Sequence, residues 1–324
     1  MYRKERSVPL KSSSSALYNN LSVLPLRDKQ LTYFAAVHGS SVSLASAAPG
    51  GLSVSHRQLQ AKEGAGVGCN SSFPFQASWC VLPSRVLLVL TSQKGIQVRV
   101  LLPFLGSGKG GAQAVFARGI AAASGRFICV GTSSGLVLVF DVPSKGTNIT
   151  LSEVLEEHRD SITDITSEDG AADLVTADDS GALCVWKAKE EFSLLTRISA
   201  FGWTCSSVKL WNGVIAAGYG NGQIRLYEAT GGALRATVSA HARWIYALDL
   251  APLTGKLLSG AEDSYVQIWK LSRSPDTGDI EIEHCHSECV TDTQLCGARF
   301  CDPEGNSFAA TGYDLSEIVR YGQV

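Results

Sequence analysis

The chain has 324 residues, of which 45% are hydrophobic and 18% charged, and its formal net charge is -2 with a pI near 6.3. The charged share is below the roughly 25% of an average soluble domain, which predicts a large core, and no positive excess exists from which to build a nucleic-acid footprint. Nine cysteines without a signal sequence read as reduced thiols in the cytosol, and the longest apolar run, around 86–90, is far too short to insert into a membrane.

Taken in order, the chain repeats one unit: an apolar strand, a tight polar turn, then an alternating strand that in most copies ends on an aromatic residue. Residues 4–10 are extended in character and precede the first unit. An inner strand is predicted over 17–26, followed by a degenerate copy at 31–45, LTYFAAVHGSSVSLA, with no closing aromatic. The second copy, 85–100, also lacks it. The third, 127–141, ends on Phe140-Asp141, and the fourth, 173–187, on Trp186. The fifth, 214–228, ends on Tyr227, the sixth, 257–270, on Trp269, and the seventh, 308–322, on Tyr321. The turns start roughly 40–54 residues apart, the interval of a propeller blade with insertions, about 40–45 residues plus loops. Seven copies fill the chain and leave no second domain.

The sixth copy carries the most chemistry. His241, Ser259, Asp263 and Trp269 are the polar or amphipathic residues of HARWIYALDLAPLTGKLLSGAEDSYVQIWKL. A half-buried indole N–H needs an acceptor, and a buried His or Asp is costly unless paired. A chain of hydrogen bonds from Trp269 through Ser259 and His241 to Asp263 satisfies all four. His158 precedes Trp186 by the same interval that separates His241 from Trp269, so a partial version is predicted from His158, Thr176 and Trp186, with Ser180 where the Asp belongs.

His at the start, SG-x-x-D at the second turn and Trp closing the third strand resemble the WD-repeat family. The resemblance covers nearly the whole chain, although Lys270 stands in place of the family's Asp after Trp, and Ala240 in place of its Gly before His. It implies an all-β, seven-bladed WD-repeat β-propeller in which the four residues are a structural tetrad. The blades are expected over 17–60, 76–105, 113–156, 161–199, 203–239, 244–286 and 295–322. The Gly-rich stretch at 100–113 is a poor outer strand for the second blade. The seventh blade lacks a fourth strand, and an open sheet edge is a pairing template, so residues 4–10 are expected to pair beside 316–321 and close the ring.

Other motifs fit poorly. Gly131–Gly135 matches the nucleophile elbow around Ser133, but that motif needs a helix next and LVLVF follows. Gly106–Gly111 matches G-x-G-x-x-G without the βαβ unit that a dinucleotide site requires. His284, Cys285, His286, Cys289, Cys296 and Cys301 lack the paired C-x2-C knuckles of structural zinc, and on a strand His284 and His286 share a face opposite Cys285. No cofactor and no metal are expected, and a metal-binding or hydrolytic protein using the Cys285–Cys301 cluster or Ser133 is the alternative. The resemblance implies a non-enzymatic scaffold in cytoplasmic signalling or membrane-traffic assemblies. It would bind other proteins, self-associate or not, and be brought to vesicles or the cell membrane by its partners. The ubiquitin-ligase signature Trp-Asp-x-Arg is missing at both Trp186 and Trp269. Candidate partner-binding residues are Trp203, Arg243 and Trp244, aromatic and Arg residues of outer-to-inner connections, although the two tryptophans equally suit wedges between blades. The connections 61–75 and 272–293 are longer than the fold needs.

Overall fold

The computed structural model describes residues 1–14, 17–60, 74–92, 95–100, 108–110, 117–146, 148–168, 173–188 and 191–324. Seven antiparallel sheets follow one another along the sequence. Their inner strands are Leu21–Leu26, Pro74–Leu82, Ala117–Ala123, Ile162–Ser167, Cys205–Trp211, Ile245–Ala251 and Leu295–Phe300. Each packs beside the inner strands of the blades before and after it, and Leu295–Phe300 packs beside Leu21–Leu26, so the ring is closed. The chain is a seven-bladed β-propeller.

Why these segments are strands follows from where their side chains go. A blade's second strand has both faces covered by neighbouring blades, so it reads as a nearly continuous apolar run, whereas a third strand such as Gln223–Glu228 alternates. Phe127–Thr132 and Val214–Tyr219 are buried at every position. Outer strands are covered on one face at most, and Leu234–Ser239 alternates between exposed and half-buried. The buried apolar residues divide into seven clusters, each spanning one junction between adjacent blades. No blade owns a core, and stability therefore depends on every junction.

The seventh blade is completed from the other end of the chain. Tyr2–Lys4 pairs antiparallel with 321–323, and Val8–Pro9 with 317–318. Glu5 N–H donates to Arg320 O at 2.8 Å and Leu10 N–H to Ser316 O at 2.8 Å. The strand thus starts at Tyr2 rather than Lys4 and breaks into two short runs. Pro9, which has no N–H, sits on this edge without breaking a ladder. Tyr2 anchors it: its side chain is 7% exposed, lies 5.3 Å edge-on from Phe308, and its hydroxyl donates to Gly305 O. Lys256 Nζ donates to the same hydroxyl at 3.3 Å, to Gly305 O at 3.0 Å and to Gln323 Oε1 at 3.0 Å.

Three expectations are revised. The first inner strand covers Leu21–Leu26 only; residues 17–20 turn into the central channel instead. The second blade does have an outer strand, Gly108–Gly110, paired with 96–98, because ladder hydrogen bonds come from the backbone and need no side chain. Most of 272–293 is no free connection: Ile280–Cys289 is the outer strand of the sixth blade, paired with 265–273. The other long connection, over 61–73, and Gly106, Ser107 and Gly111 of the glycine motif lie outside the described residues.

Candidate functional site

The sixth blade assembles His241, Ser259, Asp263 and Trp269 from three places: the connection entering the blade, its second strand, and the turn and third strand that follow. Trp269 Nε1 donates to Ser259 Oγ at 3.2 Å, Ser259 Oγ lies 2.8 Å from His241 Nε2, and His241 Nδ1 lies 3.1 Å from both Asp263 oxygens. Asp263 also accepts from Ala242 N at 2.9 Å and Tyr265 N at 3.2 Å. Two directions are fixed by chemistry: the donor-only indole N–H gives to the Ser hydroxyl, and the imidazole Nδ1–H gives to the acceptor-only carboxylate, the ring thereby bridging hydroxyl and acid.

The fourth blade repeats this. Trp186 Nε1 donates to Thr176 Oγ1 at 3.0 Å, and His158 Nε2 lies 2.7 Å from the same oxygen. The carboxylate is Asp178, 2.7 Å from His158 Nδ1, so placing Ser180 in the Asp position is corrected. Ser180 is instead a support: its hydroxyl donates to Asp178 Oδ1 at 2.6 Å, and the N–H groups of Ser180 and Ala182 donate there at 3.0 Å each. The acid sits at the end of the second strand rather than inside the turn, and a fully buried His–Asp pair results. Burial alone pushes both carboxyls up, but the hydrogen bonds from His158 and Ser180 to Asp178, and from His241 to Asp263, outweigh it and hold both below the ordinary carboxylate value.

These groups tie each blade to the connection before it. The turn that opens the third strand makes the same close approach in three successive blades. An added Cβ would meet His158 O at 2.6 Å from Gly135, Trp203 O at 2.3 Å from Gly181, and His241 O at 2.1 Å from Gly222. All three glycines have positive φ, so a side chain there is excluded twice, by space and by backbone.

On this connection-bearing face the three candidate partner residues differ. Trp203 is 52% exposed and Arg243 is exposed, each in the connection that enters a blade. Trp244 is half-buried over the preceding turn, its ring within 2.9 Å of where a Cβ on Gly220 would stand. It is a wedge between the fifth and sixth blades. Beside them Arg225 lies over the Phe201 ring at 3.1 Å from its centroid.

Sequence reasoning missed how this end of the central channel is closed. Asn19, at φ 53°, donates its amide to Ser206 O at 3.0 Å and its N–H to Tyr246 O at 3.0 Å. Tyr18 stacks under Arg118, 3.8 Å from its ring. The signal was Asn19-Asn20, residues that tolerate left-handed backbone and turn the chain.

The reactive candidates are dispersed. Ser133 sits in the turn ending at Leu136, where Thr132 Oγ1 accepts from Leu136 N at 3.0 Å, and strand Val137–Asp141 follows in place of a helix. His284 packs on Trp269 at 4.9 Å and His286 on Tyr2 at 5.2 Å. Cys285 and Cys289 are exposed, whereas Cys296 and Cys301 are buried in the seventh blade, where burial pushes their thiols up to about 12. Among the described residues, no three His, Cys, Asp or Glu side chains converge on one point.

Comparison with known proteins agrees with this architecture. The WDR54 family profile matches residues 1–324. The chain is 61% identical over 337 residues to WD repeat-containing protein 54 of Mus musculus, covering 100% of both. It superposes on a chain of the mitotic checkpoint complex with a TM-score of 0.76 at 17% identity, covering 99% of this chain and 94% of that one. The WD40 β-propeller domain of Doa1 gives 0.70 at 16%, covering 100% and 97%. WD-repeat propellers of this kind are generally non-enzymatic scaffolds that bind other proteins. From a full-length family match and the propeller geometry together, this chain is a member of the WDR54 family of WD-repeat proteins.

Proposed function

We propose that this protein is a non-catalytic docking platform for protein partners in cytoplasmic signalling or membrane-traffic assemblies. Partners would bind the face carrying the outer-to-inner connections, and it is they that would bring the chain to vesicles or the cell membrane. One observation carries the reading: Trp203 and Arg243 stand exposed on anchored connections, that of Arg243 held by the sixth-blade tetrad, whose His and Asp are consumed in holding it, and that of Trp203 by Gly202 N–H donating to Ser180 O at 3.3 Å and Thr204 Oγ1 to Asp179 Oδ1 at 3.0 Å. An exposed Trp that helps no core is a poor choice for solubility and a good one for an interface anchor. The test is proximity labelling in cells, comparing wild type with a Trp203→Ala, Arg243→Ala double variant. Loss of specific neighbours at an unchanged melting temperature supports the proposal. An unchanged neighbour list overturns it.

A further inference from the structure

Where the seventh blade meets the first, the N-terminal segment fills the seam. Val8 and Leu10 are buried there with Ala45 and Ala47 of the first blade and Ile318 of the seventh. His56, on the outer strand of the first blade, is the register partner of Ala45. Cross-strand partners point to the same face of a sheet, so the His56 ring turns toward this segment. Two residues further on, Gln58 Nε2 donates to Ser12 Oγ at 3.0 Å, which sets the start of 11–14 against the same face. Ser14 Oγ, Ser43 Oγ and the Nε and Nη1 atoms of Arg320 are buried at this seam without hydrogen-bond partners.

His56 differs from the other histidines. His38 Nδ1 meets Ser13 O, His158 and His241 are held by their tetrad acids, His284 Nε2 lies 2.9 Å from Gln267 Oε1, and His286 Nε2 lies 3.2 Å from Glu288 Oε2. In His56 both ring nitrogens are buried and neither has a partner. The charged groups on the elements packed at this seam are Glu5, Arg6 and Lys11 of the N-terminal segment, Glu317 and Arg320 of the seventh blade, and Arg57 beside His56 on its own strand. Glu5 and Arg320 face each other at 3.2 Å. Burial, and after it the positive charge of Lys11, hold the His56 ring below the ordinary histidine value.

We infer that residues 2–14 form an acid-released latch, in which protonation of His56 frees the N-terminal segment from the seam between the seventh and first blades. A protonated imidazole carries two N–H donors and a charge. In the closed seam neither donor finds an acceptor and Lys11 repels the ring, whereas in the open form water receives both. Protons therefore favour the open form. Closure is fully supported above about pH 6.5, the value of a free histidine, and loses support as pH falls below it. With the open ring titrating there, the opening constant rises by up to about tenfold at pH 5.5. Opening bares the edge of 317–323, a pairing template for a strand of another chain. The latch acts at the ring's seam, and its test is independent of partner docking at Trp203 and Arg243.

Hydrogen–deuterium exchange of the full chain at pH 7.5 and pH 5.5, corrected for the intrinsic pH dependence of amide exchange, tests this. The reporting amides include Glu5, Leu10 and Ser14, whose N–H groups donate to Arg320 O, Ser316 O and Leu315 O. Opening of 2–14 and 316–323 should rise at least threefold at the lower pH, while 127–132 and 214–219 in the third and fifth blades stay as protected as before. His56→Phe keeps an aromatic ring without a titrating nitrogen and should lose the pH-dependent increment, even if its protection at pH 7.5 differs from that of wild type. Lys11→Glu, at an exposed position, gives the ring a neighbouring carboxylate and should at least halve the increment. An undiminished increment in His56→Phe or Lys11→Glu, equal opening of the wild-type latch at both pH values, or loss of protection in all blades together each overturns the assignment.

Discussion

Replacing Asp178 by Ala is the sharpest probe of how the blades are held. Asp178 lies within the fourth blade and accepts from the His158 ring, the Ser180 hydroxyl, and the N–H groups of Ser180 and Ala182. Its removal leaves a buried imidazole N–H unpaired, at about 1–3 kcal/mol, and breaks a buried ionisable pair, which typically brings the total to about 3–5 kcal/mol. Ser180→Ala removes one hydroxyl from the half-exposed end of the same network and should cost about 1 kcal/mol or less. Urea unfolding followed by tryptophan fluorescence distinguishes the two, because Trp186 hangs from the same chain of hydrogen bonds through Thr176. A large midpoint shift for Asp178→Ala with a small one for Ser180→Ala is expected. Equal shifts, or a larger one for Ser180→Ala, would refute the tetrad assigned to this blade.

Further outcomes follow from the same geometry. Asp178 and Asp263 have folded-state pKa values below the unfolded one, so their contribution is fully present above about pH 4 and disappears as pH falls through the lower folded value. Acid unfolding of Asp178→Asn should therefore show a flatter loss of stability over that range than wild type does. Tyr2→Ala empties a buried ring site and takes a hydroxyl away from Lys256, at about 3–5 kcal/mol. Deleting residues 2–10 should lower stability further and promote association through the bared edge of 317–323, read by light scattering. A monomeric deletion with an unchanged melt would show that the N-terminal strand does not close the ring. Trp269→Ala should cost about 3–5 kcal/mol, and an unchanged urea midpoint would contradict its place in the sixth blade. In a Cys69→Ser background, maleimide should label Cys285 and Cys289 under native conditions, and the six buried thiols only on unfolding.

The repeat was legible because the physics of a blade writes itself into local sequence. Strands covered on both faces must be apolar almost throughout, as Phe127–Gly131 is before the turn residue Thr132, and the turn between second and third strands must admit a glycine beside a carbonyl, as at Gly181 and Gly222. The sixth-blade tetrad was legible for a related reason, since each of its four residues would be costly if buried alone. What stayed hidden depends on exact placement in space. Asp178 and Ser180 are two residues apart, and only the end of the second strand decides which of them faces His158. The fate of Trp203 and Trp244 turns on whether a neighbouring glycine leaves room for the ring, as Gly220 does for Trp244.

Site-specific photo-crosslinking tests the docking account most directly. A benzophenone amino acid placed at Trp203 reports on the connection-bearing face. The same group at Leu253, 67% exposed at the turn between the first two strands of the sixth blade, reports on the opposite one. After irradiation in cells, discrete higher-mass adducts to other proteins from position 203, and none above background from 253, are the predicted result. Adducts from 253 alone, or from neither position, would contradict a partner surface at Trp203 and Arg243.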